Sequence, residues 1–197
     1  MIKRACVFSS SSNTLDKSYY EDASLLGTLL AEAGIDMVYG GSCVGTMHSA
    51  ANSAKKSGAK IYGVMPEKLY NFGVSADYCD EFFLTPDMRS RKAKLDELSD
   101  AIIALAGGFG TLEEVSEMIV QRQLGYNNKP IVFLNTNGFY NNLFKFFDTI
   151  IKESFAKTTA KDIYYIAQSP QDVVNYLKNY QPDNKEIKPE DIYTSAR

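Results

Sequence analysis

The chain has 197 residues, 45% of them hydrophobic and 23% charged, a composition that is typical of a globular protein and excludes a disordered one. Its length fits one domain, or one domain with a terminal appendage. The formal net charge of −3 provides no basic surface for a nucleic acid polymer or an anionic membrane, so an anionic ligand needs local hydrogen-bond donors.

Apolar runs, cysteines and histidine bear on compartment and metal binding. No apolar run approaches the roughly 18 to 20 residues of a membrane helix. The N-terminal run of about five residues is shorter than a signal peptide requires and favours a first strand. Cys6, Cys43 and Cys79 are odd in number and widely spaced, so we expect reduced thiols in the cytoplasm and neither a disulfide framework nor a zinc site. The sole histidine, His48, has no ligand cluster near it and predicts a structural role, not a metal site.

Strand-like and helix-like patterns alternate along the chain. Apolar residues from Tyr19 to Ala33 recur at spacings of four and three, the pattern of one helix face, and Gly34 provides a stop. In chain order the predicted elements are strand Ile2–Phe8, helix Tyr19–Ala33, strand Ile35–Tyr39, helix Gly45–Ser57, strand Lys60–Met65, strand Glu81–Leu84, helix Asp87–Ser99, strand Ala101–Leu105, helix Thr111–Leu124, strand Pro130–Leu134, helix Tyr140–Glu153, strand Ile163–Ala167 and helix Pro170–Tyr180.

This alternation predicts one α/β domain over residues 1–180, with a doubly wound parallel sheet covered by helices on both faces. Residues 181–197 form a polar tail that we expect to be irregular or disordered. In such sheets ligands bind outside the carboxyl ends of the strands, where the strand order reverses. Functional residues should therefore follow the strands directly.

Small residues follow three of the predicted strands: SSSS after the first, GGSCVG after the second and AGGFGT after the fifth. Glycine lets backbone N–H groups approach a ligand closely, and the next helix N-terminus adds unpaired donors and partial positive charge. Ser10, Gly41 and the turn at 107–111 are therefore candidate phosphate-binding residues. The turns do not match the dinucleotide or P-loop motifs, and tight packing explains each of them equally well.

Thr111 and Glu114 have the spacing of a capping box, in which the threonine caps a helix and the glutamate reaches back to the cap amide. This structural interpretation is favoured by sequence alone. A carboxylate one turn into a helix at a phosphate-binding turn would also lie beside the sugar that the phosphate carries.

Arg91 occupies an apolar position of its predicted helix, because it shares one face with Met88, Leu95 and Leu98. A buried guanidinium group is costly unless it meets an anion or several acceptors. The side chain therefore extends to the surface, pairs with an internal carboxylate, or binds a phosphate, ribose or base group.

At these residues the chain resembles the LONELY GUY family of cytokinin riboside 5′-monophosphate phosphoribohydrolases, formerly often labelled lysine decarboxylases. The family pattern PGGxGTxxE appears as AGGFGTLEE, Ala106 to Glu114, and the pattern MHxRK appears as MRSRK, Met88 to Lys92. The match continues in order from about Lys3 to Phe155.

The resemblance implies a Rossmann-like sheet, a homodimer, no cofactor, and hydrolysis of the N-glycosidic bond of a nucleoside monophosphate to free base and ribose 5-phosphate. It makes Arg91 and Glu114 the catalytic pair and puts Lys92 and Met88 near the substrate. The residues that it implies around the 5′-phosphate are Gly107, Gly108, Phe109, Gly110 and Thr111.

The chain differs from the family pattern at three positions. Ala106 stands where the family has proline, Arg89 where it usually has histidine, and Gln121 where it commonly has tryptophan. These differences do not determine which base the protein prefers, and AMP-type nucleotides are as plausible as cytokinin nucleotides. Two other functions are compatible with parts of this pattern. A non-catalytic nucleotide or molybdenum-cofactor carrier needs the glycine turns but not the pair of Arg91 and Glu114. A pyridoxal-dependent decarboxylase needs a Schiff-base lysine that no pattern singles out.

The aromatic helix around Phe144 bears on the homodimer. Its aromatic residues supply more apolar surface than one face of a sheet requires, so they either pack in the core or form an interface. They are Phe139, Tyr140, Phe144, Phe146 and Phe147.

Overall fold

A seven-stranded, entirely parallel sheet forms the centre of the protein in a computed structural model that describes residues 1–182. The strands are β1 (Arg4–Phe8), β2 (Asp36–Tyr39), β3 (Ile61–Pro66), β4 (Glu81–Thr85), β5 (Ala101–Ala104), β6 (Ile131–Leu134) and β7 (Tyr164–Ala167). The α-helices are α1 (Lys17–Glu32), α2 (Gly45–Lys56), α3 (Glu67–Tyr70), α4 (Met88–Glu97), α5 (Phe109–Gln123), α6 (Asn141–Lys152) and α7 (Pro170–Asn179).

The strand order is β4-β3-β2-β1-β5-β6-β7, so the chain winds outward from β1 in both directions. The register of β1 with β5 aligns Phe8 with Ala104, the last residues of the two strands. The order reverses between these strands, and the turns that follow them therefore flank the switch point. The prediction of a single α/β domain with a doubly wound parallel sheet is confirmed.

Helices cover both faces of the sheet because strand side chains alternate in direction. In β1, Ala5 and Val7 belong to the core beneath α1, α2 and α7, whereas Cys6 and Phe8 belong to the core beneath α4, α5 and α6. The strands are accordingly apolar on both faces. The carboxyl ends of β1, β2, β3 and β5 lie at one edge of the sheet, because the strands are parallel.

Side-chain caps mark the start of three of the seven α-helices in residues 1–182, α1, α4 and α7. The Asp87 side chain accepts a hydrogen bond from the Ser90 backbone at the start of α4, and Ser169 caps α7 in the same way ahead of Pro170. Each predicted strand and helix is present, with ends shifted by a few residues. The short helix α3 was not predicted.

Two further observations concern the ends and the surface of the chain. Within residues 1–182, the helices lack the length and apolar character needed to span a bilayer. Most of the predicted polar tail, residues 183–197, lies outside the described residues.

Candidate active site

The glycine turn after β5 leads directly into α5. Gly108 is the residue before the helix, has extended backbone angles and provides no side-chain cap, so the first N–H groups of α5 have no partner of that kind. Gly108 and Gly110 face open space, while Gly107 packs against the side chain of Thr111. The turn therefore presents bare peptide amides to the edge of the sheet.

The capping-box interpretation of Thr111 and Glu114 is wrong. The helix begins at Phe109, two residues before Thr111, so Thr111 already lies in the first turn. Its Oγ1 donates a hydrogen bond to the carbonyl oxygen of Ser9 at 3.1 Å, and Glu114 contacts a different helix. A glycine rather than a threonine occupies the cap position because an open backbone turn precedes the helix.

The turns after β1 and β2 pack against each other beside this glycine turn. The Ser10 N–H donates to Thr46 Oγ1 at 3.0 Å, which joins the serine run to the first turn of α2. Ser9 Oγ is buried, and no hydrogen-bond partner for it is present among the described residues. Ser9 and Thr46 were not among the predicted site residues, because their relation to the site depends on contacts between distant segments.

Arg91 and Glu114 form a buried ion pair between α4 and α5. Arg91 Nη1 lies 2.5 Å from Glu114 Oε1, and each side chain is 9% exposed. Arg91 Nε also donates to the carbonyl oxygen of Val64 at 3.2 Å, at the carboxyl half of β3. The second interpretation of Arg91, pairing with an internal carboxylate, therefore describes its contacts, and the two residues predicted to act together contact each other directly.

The double glycine after β2 makes room for this pair. A Cβ on Gly40 would lie 2.5 Å from Arg91 Nη2, so a side chain at this position would displace the guanidinium group from where it now lies. Gly41 adopts a φ of +71° and lies against the ring of Phe82, where a side chain would collide. Gly40 was not among the predicted site residues, although it contacts the catalytic candidate more closely than Gly41 does.

Burial sets the electrostatics of the pair. Desolvation raises the pKa of Glu114, while the Arg91 charge and its hydrogen bond act in the opposite direction. Cys6 lies beneath the pair in β1, and burial strongly raises the pKa of its thiol, so this group is neutral at physiological pH. The site therefore holds one arginine–carboxylate pair in a largely desolvated environment.

Lys92 has partners of its own. Its ammonium group contacts Glu113 and lies 2.5 Å from Glu117 Oε2, and its side chain is only 14% exposed. Hydrogen bonds to these two glutamates raise the pKa of Lys92. Lys92, which the resemblance puts near the substrate, is next to Arg91 in α4, and its charge is balanced by carboxylates of α5.

Two exposed apolar side chains flank the site. Met88 is the first residue of α4 and is 46% exposed, and Phe109 is the first residue of α5 and is 92% exposed. His48, by contrast, is on α2, where its Nδ1 lies 3.1 Å from the hydroxyl of Tyr78.

Comparison with known proteins identifies the family. Residues 47–177 match a family model described as "Possible lysine decarboxylase". A cytokinin riboside 5′-monophosphate phosphoribohydrolase of Arabidopsis thaliana is 40% identical over 185 residues, which are 94% of this chain and 85% of that protein. A probable cytokinin riboside 5′-monophosphate phosphoribohydrolase of Oryza sativa subsp. japonica is 38% identical over 185 residues, 94% of this chain and 76% of that protein.

Solved structures share the fold. The molybdenum cofactor binding protein of Rippkaea orientalis superimposes with a TM-score of 0.67 and 27% identity, covering 90% of this chain and 96% of its own. The molybdenum cofactor carrier protein of Chlamydomonas reinhardtii gives a TM-score of 0.70 at 21% identity, covering 90% and 97%, and shows the fold alone. Because identity to the phosphoribohydrolases reaches 40% over 94% of the chain, this protein belongs to the LONELY GUY family of hydrolases, as its two motifs predicted.

Proposed function

We propose that this protein hydrolyses the N-glycosidic bond of adenosine 5′-monophosphate, with or without an N6 substituent, to the free base and ribose 5-phosphate. The observation that carries the proposal is a buried arginine–glutamate pair beside a bare glycine turn at the switch point of a parallel sheet. The names of the relatives support substrates with a substituent on N6.

In this proposal the 5′-phosphate binds at the start of α5. The peptide N–H groups of residues 107–111 donate to its oxygens, and the helix N-terminus adds partial positive charge. Support comes from the open space at Gly108 and Gly110 and from the absence of a side-chain cap on the helix. Ser10 and Gly41 extend the same edge of the sheet. No basic side chain is required, which agrees with the net charge of −3.

Glu114 lies about one helical turn beyond the phosphate turn, at the distance of the ribose. Breaking the C1′–N bond generates an oxocarbenium-like sugar, as in glycoside hydrolysis generally. The Glu114 carboxylate stabilises that cation and orients the attacking water. Its buried position strengthens the interaction, because charges attract more strongly where water is excluded.

In this proposal Arg91 binds the leaving base. Its guanidinium group remains charged and donates hydrogen bonds to the base as negative charge develops there. The fixed contacts to Val64 and Glu114 hold the group in place before the substrate binds. Met88 and Phe109 offer exposed apolar surface for the base at the mouth of the site.

The proposal is tested by incubating the protein with AMP and with isopentenyl-AMP and measuring free base and ribose 5-phosphate. Glu114→Gln is expected to lower turnover by more than about 100-fold, since the neutral amide cannot stabilise the sugar cation. Glu97→Gln, on the exposed face of α4, serves as the matched control. Unchanged turnover in folded Glu114→Gln would refute the catalytic role.

A carrier function is the second candidate, and the likeness to the Rippkaea orientalis molybdenum cofactor binding protein favours it. A carrier needs the glycine turns, but it does not need a buried Arg91–Glu114 pair. Tight nucleotide or cofactor binding without release of free base, and with equal affinity in Arg91→Ala, would support the carrier over the enzyme.

We also propose a homodimer in a reducing, cytoplasmic environment. Helix α6 has a strongly amphipathic sequence but no fully buried residue, and Phe146 is 59% exposed. Phe155, just after the helix, is 85% exposed. A second copy would cover this aromatic surface. The reducing environment is supported by Cys6, Cys43 and Cys79, which are free thiols.

A further inference from the structure

A second set of ion pairs lies directly beside Arg91 and Glu114. Lys92 is on α4, and its ammonium group contacts Glu113 and Glu117 on α5. Arg91 and Glu114 connect the same two helices. The lysine side chain is 14% exposed, against 56% for Glu113 and 35% for Glu117. Lys92 is thus enclosed between the two helices, with its charge directed at α5.

Three carboxylates lie close together on α5, and Lys92 neutralises two of them. Glu113, Glu114 and Glu117 lie within about one helical turn, where like charges repel. Because Lys92 engages Glu113 and Glu117, Glu114 remains as the partner of Arg91.

We propose that Lys92 is a positioning residue, which holds Glu113 and Glu117 so that Glu114 keeps both its negative charge and its pairing with Arg91. The effect of Lys92 on the reaction rests on the proposed function, in which the Glu114 carboxylate stabilises the sugar cation. The geometry argues against a phosphate ligand, since an ammonium group shared by two carboxylates has little net charge to offer.

The electrostatics of Glu114 agree with this role. From α4, Arg91 and Lys92 lower the pKa of Glu114, and within α5 Glu113 raises it in addition to the effect of burial. From β1, Cys6 faces the site as a neutral thiol. Removing the Lys92 charge would leave the field of Glu113 uncompensated, which favours the protonated form of Glu114.

A carbon-13 NMR pH titration of the Glu114 carboxyl group tests the proposal without any need for activity. Protein labelled at glutamate Cδ gives the resonances, and Glu114→Gln assigns the relevant one. We expect a higher Glu114 pKa in Lys92→Met and a return towards the wild-type value in Lys92→Met/Glu113→Gln/Glu117→Gln. The same Glu114 pKa in wild type and Lys92→Met overturns the proposal.

A second variant keeps the test decisive if Lys92→Met fails to fold. Glu113→Gln/Glu117→Gln removes two negative charges and leaves the lysine charge in place, so the Glu114 pKa should fall below the wild-type value. A value equal to or above wild type overturns the proposal.

Kinetics with AMP separate positioning from phosphate binding. In Lys92→Met we expect kcat to fall about tenfold with KM changed less than about threefold, because a misplaced group impairs the chemical step more than binding. The acid limb of the kcat–pH profile should move to higher pH, and Lys92→Arg should restore most of kcat. A rise in KM and in the inhibition constant of ribose 5-phosphate, with the acid limb unmoved, would identify a phosphate ligand and overturn positioning. If the wild-type protein cleaves neither nucleotide, the proposed function fails, and the NMR titration still decides the role of Lys92.

Discussion

At the scale of single residues, the position of the Arg91 guanidinium group depends on the absence of a side chain at Gly40. Its guanidinium group is held by Val64 on β3 and Glu114 on α5, and it fills the space that a side chain at Gly40 would need. The glycine after β2 therefore serves the charged pair as well as the turn. Sequence alone shows the glycine doublet but not which of its members faces the arginine.

Gly40→Ala should destabilise the protein by about 1–3 kcal/mol, because the new methyl group meets Arg91 Nη2 and overpacks a buried site. The free energy of unfolding, measured in denaturant, checks this value. A double-mutant cycle with Arg91→Ala isolates the cause, since removing the guanidinium group should relieve most of the cost. An equal cost of Gly40→Ala in both backgrounds would contradict the steric explanation.

At the scale of elements, the start of α5 is controlled by contacts that the local sequence does not show. The T-x-x-E spacing predicted a cap at Thr111, but the helix begins at Phe109 and Thr111 Oγ1 reaches the Ser9 carbonyl of another segment. This hydrogen bond ties the glycine turn to the end of β1. It therefore stiffens the backbone that we propose to bind phosphate.

Thr111→Val is expected to raise KM for AMP more than it lowers kcat, because it loosens the phosphate turn and leaves the pair in place. The lost hydrogen bond should also cost about 1 kcal/mol of stability, measured by thermal denaturation. Thr111→Ser keeps the donor and separates the hydrogen bond from the methyl group. If Thr111→Val and Thr111→Ser have equal KM values, the hydrogen bond does not hold the turn.

At the scale of the whole molecule, the sheet divides the aromatic helix α6 between core and surface. Tyr140, just before the helix, is buried and donates to the Leu105 carbonyl at 2.6 Å, and Phe144 and Phe147 pack against the core. Phe146 and Phe155 remain exposed. Core packing is therefore confirmed for Tyr140, Phe144 and Phe147, whereas the interface interpretation of the aromatic run stays a prediction.

Phe146→Ser/Phe155→Ser should convert the proposed dimer to a monomer, since the two rings supply exposed apolar surface of the kind that a subunit contact buries. Sedimentation velocity at several protein concentrations measures the change. Phe72→Ser, which removes a 66% exposed ring from a segment outside α6, is the control. A wild-type protein that remains monomeric at all concentrations would remove the basis for this prediction.

Much of the fold and part of the site could be predicted from the sequence. Short apolar runs, amphipathic spacing and glycine stops are local signals, so they indicated the seven strands and six of the seven α-helices found within residues 1–182. Arg91 was detectable because a charge at an apolar position breaks the helical pattern. The Lys92 contacts with Glu113 and Glu117 gave no such signal, since charged residues on exposed helix positions are ordinary.

The sequence by itself determined the alternation of strands and helices, the family, and the candidate pair of Arg91 and Glu114. Only the tertiary structure decided that these two side chains meet, that Gly40 makes room for them and that Thr111 bonds to Ser9. The physical reason is the range of the interactions. Periodicity and turn chemistry act between neighbours in the chain, whereas each of these contacts joins segments that come together only when the sheet has formed.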